Sequence, residues 1–119
     1  MWYKDLIVWQ KGMLLVKEVY LITQKLPREE LFGLTNQLRR AAVSVPSNIA
    51  EGYNRHSDRE LNHFLKIAKG STAEVETQLL LCVELGYVTE QELQPSMNLI
   101  QEMFRMLTAM ILKSGRESR

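Results

Sequence analysis

Glu60 and His63 form a Glu-x-x-His pair, the helical spacing at which carboxylate-bridged di-iron bundles hold their metals. Such a centre needs a second Glu-x-x-His pair and two further glutamates that point inward. The other histidine of the chain is His56, and Tyr53 stands three residues before it, where a glutamate would be required. The count of ligands therefore predicts surface roles for Glu60 and His63, with no metal and no cofactor.

The second candidate is the segment of residues 37–55, which has helical periodicity on both sides of Pro46. Its apolar side comprises Leu34, Leu38, Ala41, Val45, Ile49 and Gly52, and its polar side comprises Asn36, Arg40, Ser47, Glu51 and Asn54. Because an arginine can donate two parallel hydrogen bonds to one carboxylate, the polar side predicts a structural or interfacial network. A solvated face or a ligand site is the alternative. The predicted members are Arg39, Arg40, Ser47, Asn48, Glu51, Glu74 and Glu76.

The usual catalytic signatures are missing from the sequence. There is no P-loop, nucleophile elbow, dinucleotide-binding glycine fingerprint or Cys-x-x-Cys pair. The one cysteine, Cys82, lies within the apolar run of residues 79–83, which predicts a buried and unreactive thiol. We therefore expect no catalytic residue, no cofactor-binding residue and no enzymatic activity.

Four helical segments account for the apolar periodicity and predict a single all-α domain over residues 1–119. They cover about residues 5–26, 31–54, 58–86 and 90–113. Capping boxes formed by Ser57 with Glu60 and by Thr89 with Glu92 mark the starts of the third and fourth helices. Gly86 suits the end of the third helix. The short connections predict an antiparallel up-down-up-down four-helix bundle.

Two prolines fall inside the predicted helices. Because the apolar phase continues through Pro46, we predict that the second helix is kinked there; the alternative is a break, with Pro46 opening a new helix. Pro95 allows either a kinked first turn of the fourth helix or a short turn before a helix that begins at Pro95 itself.

The first and fourth helices each carry two apolar seams, which is more than a helix in a four-helix monomer must bury. On the first helix the seams are Leu6, Trp9, Met13, Val16 and Tyr20, and Val8, Gly12, Leu15, Val19, Ile22 and Leu26. On the fourth helix the predicted oligomer seam comprises Leu99, Met103, Met106 and Met110. The sequence therefore predicts a homo-oligomer, and a wide core stripe in a monomer is the alternative.

The charges nearly cancel, with 15 Lys and Arg against 14 Asp and Glu, so the chain lacks the strong field of an autonomous nucleic-acid binder. A smaller basic surface is the alternative, with Arg39, Arg40, Arg55 and Lys66 as the nucleic-acid contacts. No apolar run approaches the roughly 20 residues that span a bilayer, and the N-terminus lacks the pattern of a signal peptide. We expect a cytoplasmic protein that does not enter a membrane.

Three blocks of the sequence are distinctive, namely residues 5–11 (DLIVWQK), 37–52 (QLRRAAVSVPSNIAEG) and 69–79 (KGSTAEVETQL). In this order they resemble the four-helix-bundle proteins encoded by intervening sequences in bacterial 23S rRNA genes. The resemblance implies antiparallel four-helix bundles that assemble as pentameric rings, with no accepted catalytic residues and an undefined biochemical role. Relatives of that family include accessory proteins of diversity-generating retroelements, which bind a reverse transcriptase and nucleic acid through a basic barrel.

We therefore expect a non-enzymatic, cytoplasmic homo-oligomer, in the form of a pentamer, that acts as a scaffold or adaptor for a protein, RNA or DNA partner. The alternative function is that of an RNA- or DNA-binding accessory protein of the retroelement type, from which this chain departs by being almost neutral.

Overall fold

The computed structural model describes residues 2–117, and within them the chain forms four α-helices and no strand. The helices are α1 (Ile7–Thr23), α2 (Leu34–Tyr53), α3 (Asp58–Glu84) and α4 (Glu90–Glu117), with short 3-10 turns at Tyr3–Asp5 and Arg28–Glu30. The prediction of an all-α chain with four helices is confirmed, and the arrangement is consistent with a four-helix bundle.

Local signals define where the helices begin and end. The Ser57 hydroxyl accepts the Glu60 N–H at 3.1 Å, which caps the start of α3. At the start of α4, Thr89 Oγ1 accepts the Glu92 N–H at 3.2 Å while the Glu92 carboxylate accepts the Thr89 N–H at 3.0 Å. These contacts are the reciprocal hydrogen bonds of a capping box, and they fix the turn between the two longest helices.

The end of α3 is a Schellman turn centred on Gly86. This glycine has φ 77°, a left-handed conformation that side chains with a Cβ rarely adopt. The Tyr87 N–H donates to the Cys82 carbonyl and the Gly86 N–H donates to the Val83 carbonyl, both at 2.9 Å. The chain therefore enters α4 after five intervening residues.

Both internal prolines lie within continuous helices. α2 runs through Pro46, which is buried, so no second helix begins there. α4 begins at Glu90 and includes Pro95, so a helix entered at Pro95 is not what forms. A bend of α2 at Pro46 stays a prediction. α4 also reaches Glu117, beyond the predicted 113, because Ser114 is buried and accepts a hydrogen bond from Asn62 Nδ2 at 3.1 Å.

The four helices enclose one hydrophobic core. Its largest fully buried side chains include Leu15 of α1, Leu38 and Ile49 of α2, Leu65 and Leu79 of α3, and Leu93, Ile100, Met103 and Leu107 of α4. α1 and α3 each lie beside α2 and α4, but no Cα of α1 comes within 8 Å of a Cα of α3. α1 and α3 therefore occupy opposite corners. Of the helices described, none is both long enough and apolar enough to cross a membrane.

Candidate interaction groove

A groove lies between α1 and α2. One wall is the α1 seam that contains Trp9, Met13, Val16 and Tyr20, whose spacing of three and four residues places them on one side of the helix. The groove consists of two depressions of about 320 and 510 Å³, and Val43 lines both of them. The α2 wall comprises Asn36, Arg39, Arg40, Val43, Ser44, Pro46, Ser47 and Ala50.

A close approach of α1 and α2 forms the floor of the groove. Gly12 lies against the Pro46 ring, and a Cβ built on Gly12 would stand 3.3 Å from the Pro46 Cβ. That distance is shorter than ordinary van der Waals contact, so the absence of a side chain at position 12 allows the two helices to meet there. The polar face of residues 37–55 thus borders a groove instead of an open surface.

Arg39 closes one end of the groove. Its Nε donates to Thr23 Oγ1 at 2.9 Å, and its guanidinium lies 4.5 Å from the centroid of the Tyr20 ring, a cation–π contact. Arg40, one residue on, is exposed, and within residues 2–117 it makes no ion pair or side-chain hydrogen bond. This end of the groove therefore presents one anchored and one unpaired arginine.

The predicted polar residues make separate contacts within the single chain. Neither Arg39 nor Arg40 forms an ion pair with Glu74 or Glu76 in the described part of the chain. Instead, Glu76 accepts from Gln101 Nε2 at 3.1 Å. A network that joins these residues across subunits stays a prediction.

The other members of the predicted network lie along α2. Glu51 pairs with Arg55 at 2.5 Å, and Ser47 is exposed on the groove wall. Asn48 Nδ2 donates to the Ser44 carbonyl at 2.8 Å and to the Ser44 hydroxyl at 2.9 Å. The Ser44 hydroxyl also lies 2.8 Å from that of Ser71 in α3, a contact between helices that the sequence analysis did not identify.

The match to known families agrees with the sequence resemblance. A family model described as 23S rRNA-intervening sequence protein matches residues 4–109, which include α1, α2, α3 and most of α4. The chain belongs to this family. A search of curated proteins finds no match.

In this 23S rRNA-intervening sequence protein, the seam of α4 predicted to face another subunit turns largely inward. Leu99 is 8% exposed and Met103 is fully buried, so both contact the core of their own chain. Met106 and Met110 are half-buried and pack against the same core. The four side chains therefore leave little apolar surface on α4 for a second subunit.

Among the four helices, α1 carries the most exposed large apolar side chains in the described part of the chain. Ile7, Leu14 and Leu21 recur every seven residues and are 59%, 45% and 49% exposed. On the groove side of the same helix, Met13 and Tyr20 are 49% and 40% exposed. α1 is thus apolar both toward its own core and toward the outside.

The four candidate nucleic-acid contacts of this family member do not gather on one surface. Arg39 and Arg40 stand at the groove, near the start of α2. Arg55 follows the end of α2, where it pairs with Glu51 and lies 4.8 Å from the Phe64 ring centroid. Lys66 is exposed on α3. At 1.5 Å of rise per residue, Arg40 and Arg55 are separated by roughly 22 Å along the chain.

Glu60 and His63 occupy structural positions in the family member. The Glu60 carboxylate lies 3.3 Å from the Ser57 hydroxyl in the cap of α3, and the His63 ring packs edge-on against Phe64. Over residues 2–117, no three His, Cys, Asp or Glu side chains come together in a geometry that could hold a metal ion.

Three groups with shifted pKa values lie near the turn between α3 and α4 of the 23S rRNA-intervening sequence protein. Burial, followed by the negative charge of Glu30, raises the pKa of the Cys82 thiol to about 11, so the sulfur is a protonated core atom at neutral pH. The hydrogen bond from Tyr87 to Glu30, 2.8 Å long, raises the pKa of the Tyr87 phenol. The hydrogen bonds that the Glu92 carboxylate accepts from Lys25 and Thr89 lower its pKa.

Proposed function

We propose that this 23S rRNA-intervening sequence protein is a non-enzymatic homo-oligomer, a pentamer, that acts as a scaffold or adaptor for another macromolecule. The observation that carries the proposal is the apolar outer surface of α1, with Ile7, Met13, Leu14, Tyr20 and Leu21 all at least 40% exposed. Exposed apolar side chains gathered on one helix are typical of a protein–protein interface. A pentameric ring is what the family resemblance implies for the number of subunits.

We also infer that the helices run antiparallel, up-down-up-down, with α2 kinked at Pro46. The contacts between α1 and α4 support the antiparallel order, because Lys25 pairs with Glu92 while the earlier residue Lys11 pairs with the later Glu102, at 2.6 Å. Likewise, the early α3 residue Asn62 donates to the carbonyl of Ile111, late in α4, at 2.8 Å.

A scaffold in the reducing cytoplasm suits the chemistry of the chain. Its single cysteine, Cys82, is buried and forms no disulfide. The groove offers apolar walls and two arginines but no nucleophile with an adjacent base. Both observations favour binding over catalysis.

Sedimentation equilibrium at micromolar concentration tests the proposal. We expect a species of five 13.8 kDa chains, about 69 kDa, and a shift toward the 13.8 kDa chain in Met13→Glu, which places a charge on the exposed side of α1. Phe32→Glu is the matched control, because Phe32 is 90% exposed but lies outside α1. A wild-type protein that sediments only at 13.8 kDa would overturn the proposal.

The second candidate function is RNA or DNA binding, and the unpaired Arg40 beside Arg39 is the observation in its favour. Phosphate contacts release counterions, so the affinity for a structured RNA should fall steeply as salt rises from about 50 mM. Binding that shows this dependence and is lost in Arg40→Ala would establish the second function. No binding at the lowest salt concentration would exclude it.

A further inference from the structure

The charge distribution along the chain is strongly uneven, although the net charge is only +1. Residues 70–104 contain six glutamates and no lysine or arginine. Three of the six are used within the chain: Glu92 pairs with Lys25, Glu102 with Lys11, and Glu76 accepts from Gln101. Within residues 2–117, the glutamates left exposed without such a partner are Glu74, Glu84 and Glu90.

Two of these exposed glutamates lie on the outer side of α3 among exposed apolar residues. Ile67, Glu74 and Leu81 are spaced seven residues apart, so they form one line along the helix, which we call the α3 stripe. Ile67 and Leu81 are 37% and 44% exposed. Glu84 follows three residues after Leu81. The α3 stripe is thus acidic and apolar, whereas the groove between α1 and α2 is basic and apolar.

The surface beside the α3 stripe allows another helix to come close. Gly70, Ala73 and Thr77 border a shallow depression of about 250 Å³. No heavy atom lies within 4 Å of a Cβ built on Gly70. A glycine inside a helix costs about 1 kcal/mol relative to alanine, and nothing in the single chain requires one here.

The spacing of the two surfaces also matches. Arg40 and Ser47 are seven residues apart on the groove wall of α2, a rise of about 10.5 Å. Glu74 and Leu81 have the same separation on α3. When α3 of the second copy runs parallel to α2 with Glu74 opposite Arg40, Leu81 lies over the part of the groove that Ser47 borders.

Within residues 2–117, the exposed carboxylate of Glu74 forms no ion pair with Arg40 of its own chain. We propose that the groove between α1 and α2 receives the α3 stripe of a second copy of this chain, with Arg40 of one copy paired with Glu74 of the next. The two contacting surfaces differ, so the contact is head-to-tail. Repetition of such a contact closes a ring when the rotation allows it, and a ring with an odd number of subunits requires one. This inference rests on the proposed homo-oligomer.

A charge-swap experiment tests the pairing. Arg40→Glu and Glu74→Arg each bring like charges together, and we expect either change to raise the subunit dissociation constant roughly tenfold or more. The double variant Arg40→Glu/Glu74→Arg restores opposite charges and should recover the wild-type mass. Arg59→Glu is the control, because Arg59 is exposed on α3 outside the stripe and the groove. Far-UV circular dichroism verifies that each variant is folded.

The outcomes separate this inference from the proposed function. A wild-type oligomer whose mass is unchanged in both single variants overturns the pairing and leaves the oligomer standing. So does an oligomer that dissociates in the single variants and stays dissociated in the double variant. A wild-type monomer overturns both the oligomer and the pairing.

Discussion

The contact between α2 and α3 at Gly52 leads to a quantitative prediction about helix packing. A Cβ added to Gly52 would lie 3.0 Å from the Phe64 Cβ and 3.1 Å from Leu61 Cδ1. Leu61 can adjust, but the Cβ of Phe64 is attached directly to the α3 backbone, so the two helices must separate. Overpacking of this kind costs about 1–3 kcal/mol. The gain in helix propensity from Gly to Ala is at most about 1 kcal/mol.

The difference between these two terms is about 0–2 kcal/mol, and we therefore expect Gly52→Ala to destabilise the protein by about 1 kcal/mol. Gly70→Ala is the matched control, because it makes the same chemical change where no heavy atom lies within 4 Å. The control should gain about 0.5–1 kcal/mol from helix propensity alone. The two variants thus move in opposite directions from the wild type.

Thermal unfolding followed by circular dichroism measures both effects, at a protein concentration low enough that the chain is dissociated, because association would itself stabilise the chain and an added Cβ at Gly70 would alter the proposed contact with a second copy. For a chain of this length, 1 kcal/mol corresponds to about 3–6 °C in Tm. We expect Gly52→Ala to melt below the wild type and Gly70→Ala above it. A Gly52→Ala variant that melts at or above the wild-type temperature would refute the close α2–α3 approach as the reason for this glycine.

Two further predictions concern the turn between α3 and α4. Because the Cys82 pKa is raised to about 11 from 9.0, the unfolded chain loses this proton at a lower pH than the folded protein, so stability is lost as pH rises from 9 to 11. The expected loss in the free energy of unfolding is on the order of 2 kcal/mol. Urea unfolding of Cys82→Ala should show a smaller loss of stability between pH 9 and 11 than the wild type. An equal loss in both proteins would count against the buried thiol as the source. Thr89→Ala removes the hydroxyl that caps α4 and should cost about 1 kcal/mol in the same assay. Thr77→Ala, at an exposed mid-helix position, should be neutral or slightly stabilising, and equal losses in the two threonine variants would contradict the capping role.

Features that depend on neighbours along the chain could be predicted from the sequence. The capping of α3 by Ser57 and of α4 by Thr89 involves residues three positions apart, and Gly86 supplies its left-handed turn by its own lack of a side chain. The inner stripe of α2 follows from the period of 3.6 residues per turn, which places Leu38, Val45 and the rest of that stripe on one side of the helix.

Features that depend on how the helices rotate against one another could not be predicted in this way. The sequence does not show which of the two apolar seams of α4 faces the core. In the structure Met103, from the predicted oligomer seam, is fully buried in the core of its own chain. Glu74 and Glu76 of α3 or a glutamate of another subunit are possible partners for the α2 arginines in sequence. The Nε of Arg39 instead donates to Thr23 of α1, since Arg39 lies on the side of α2 that faces α1. The sequence period shows how wide the apolar side of a helix is. How the helix is rotated about its own axis against its neighbours depends on long-range contacts, such as the one between Gly12 and Pro46.

Pro46 of α2 both contacts α1 and borders the groove. A proline inside a helix removes the hydrogen bond to the carbonyl four residues earlier, that of Ala42, and costs about 3 kcal/mol or more. Here the ring is buried, and Gly12 of α1 lies against it without an intervening side chain. The same ring lines the groove, next to Val43 and Ala50. The residue that weakens α2 as an isolated helix therefore joins α2 to α1 and shapes the surface that we propose receives the next subunit.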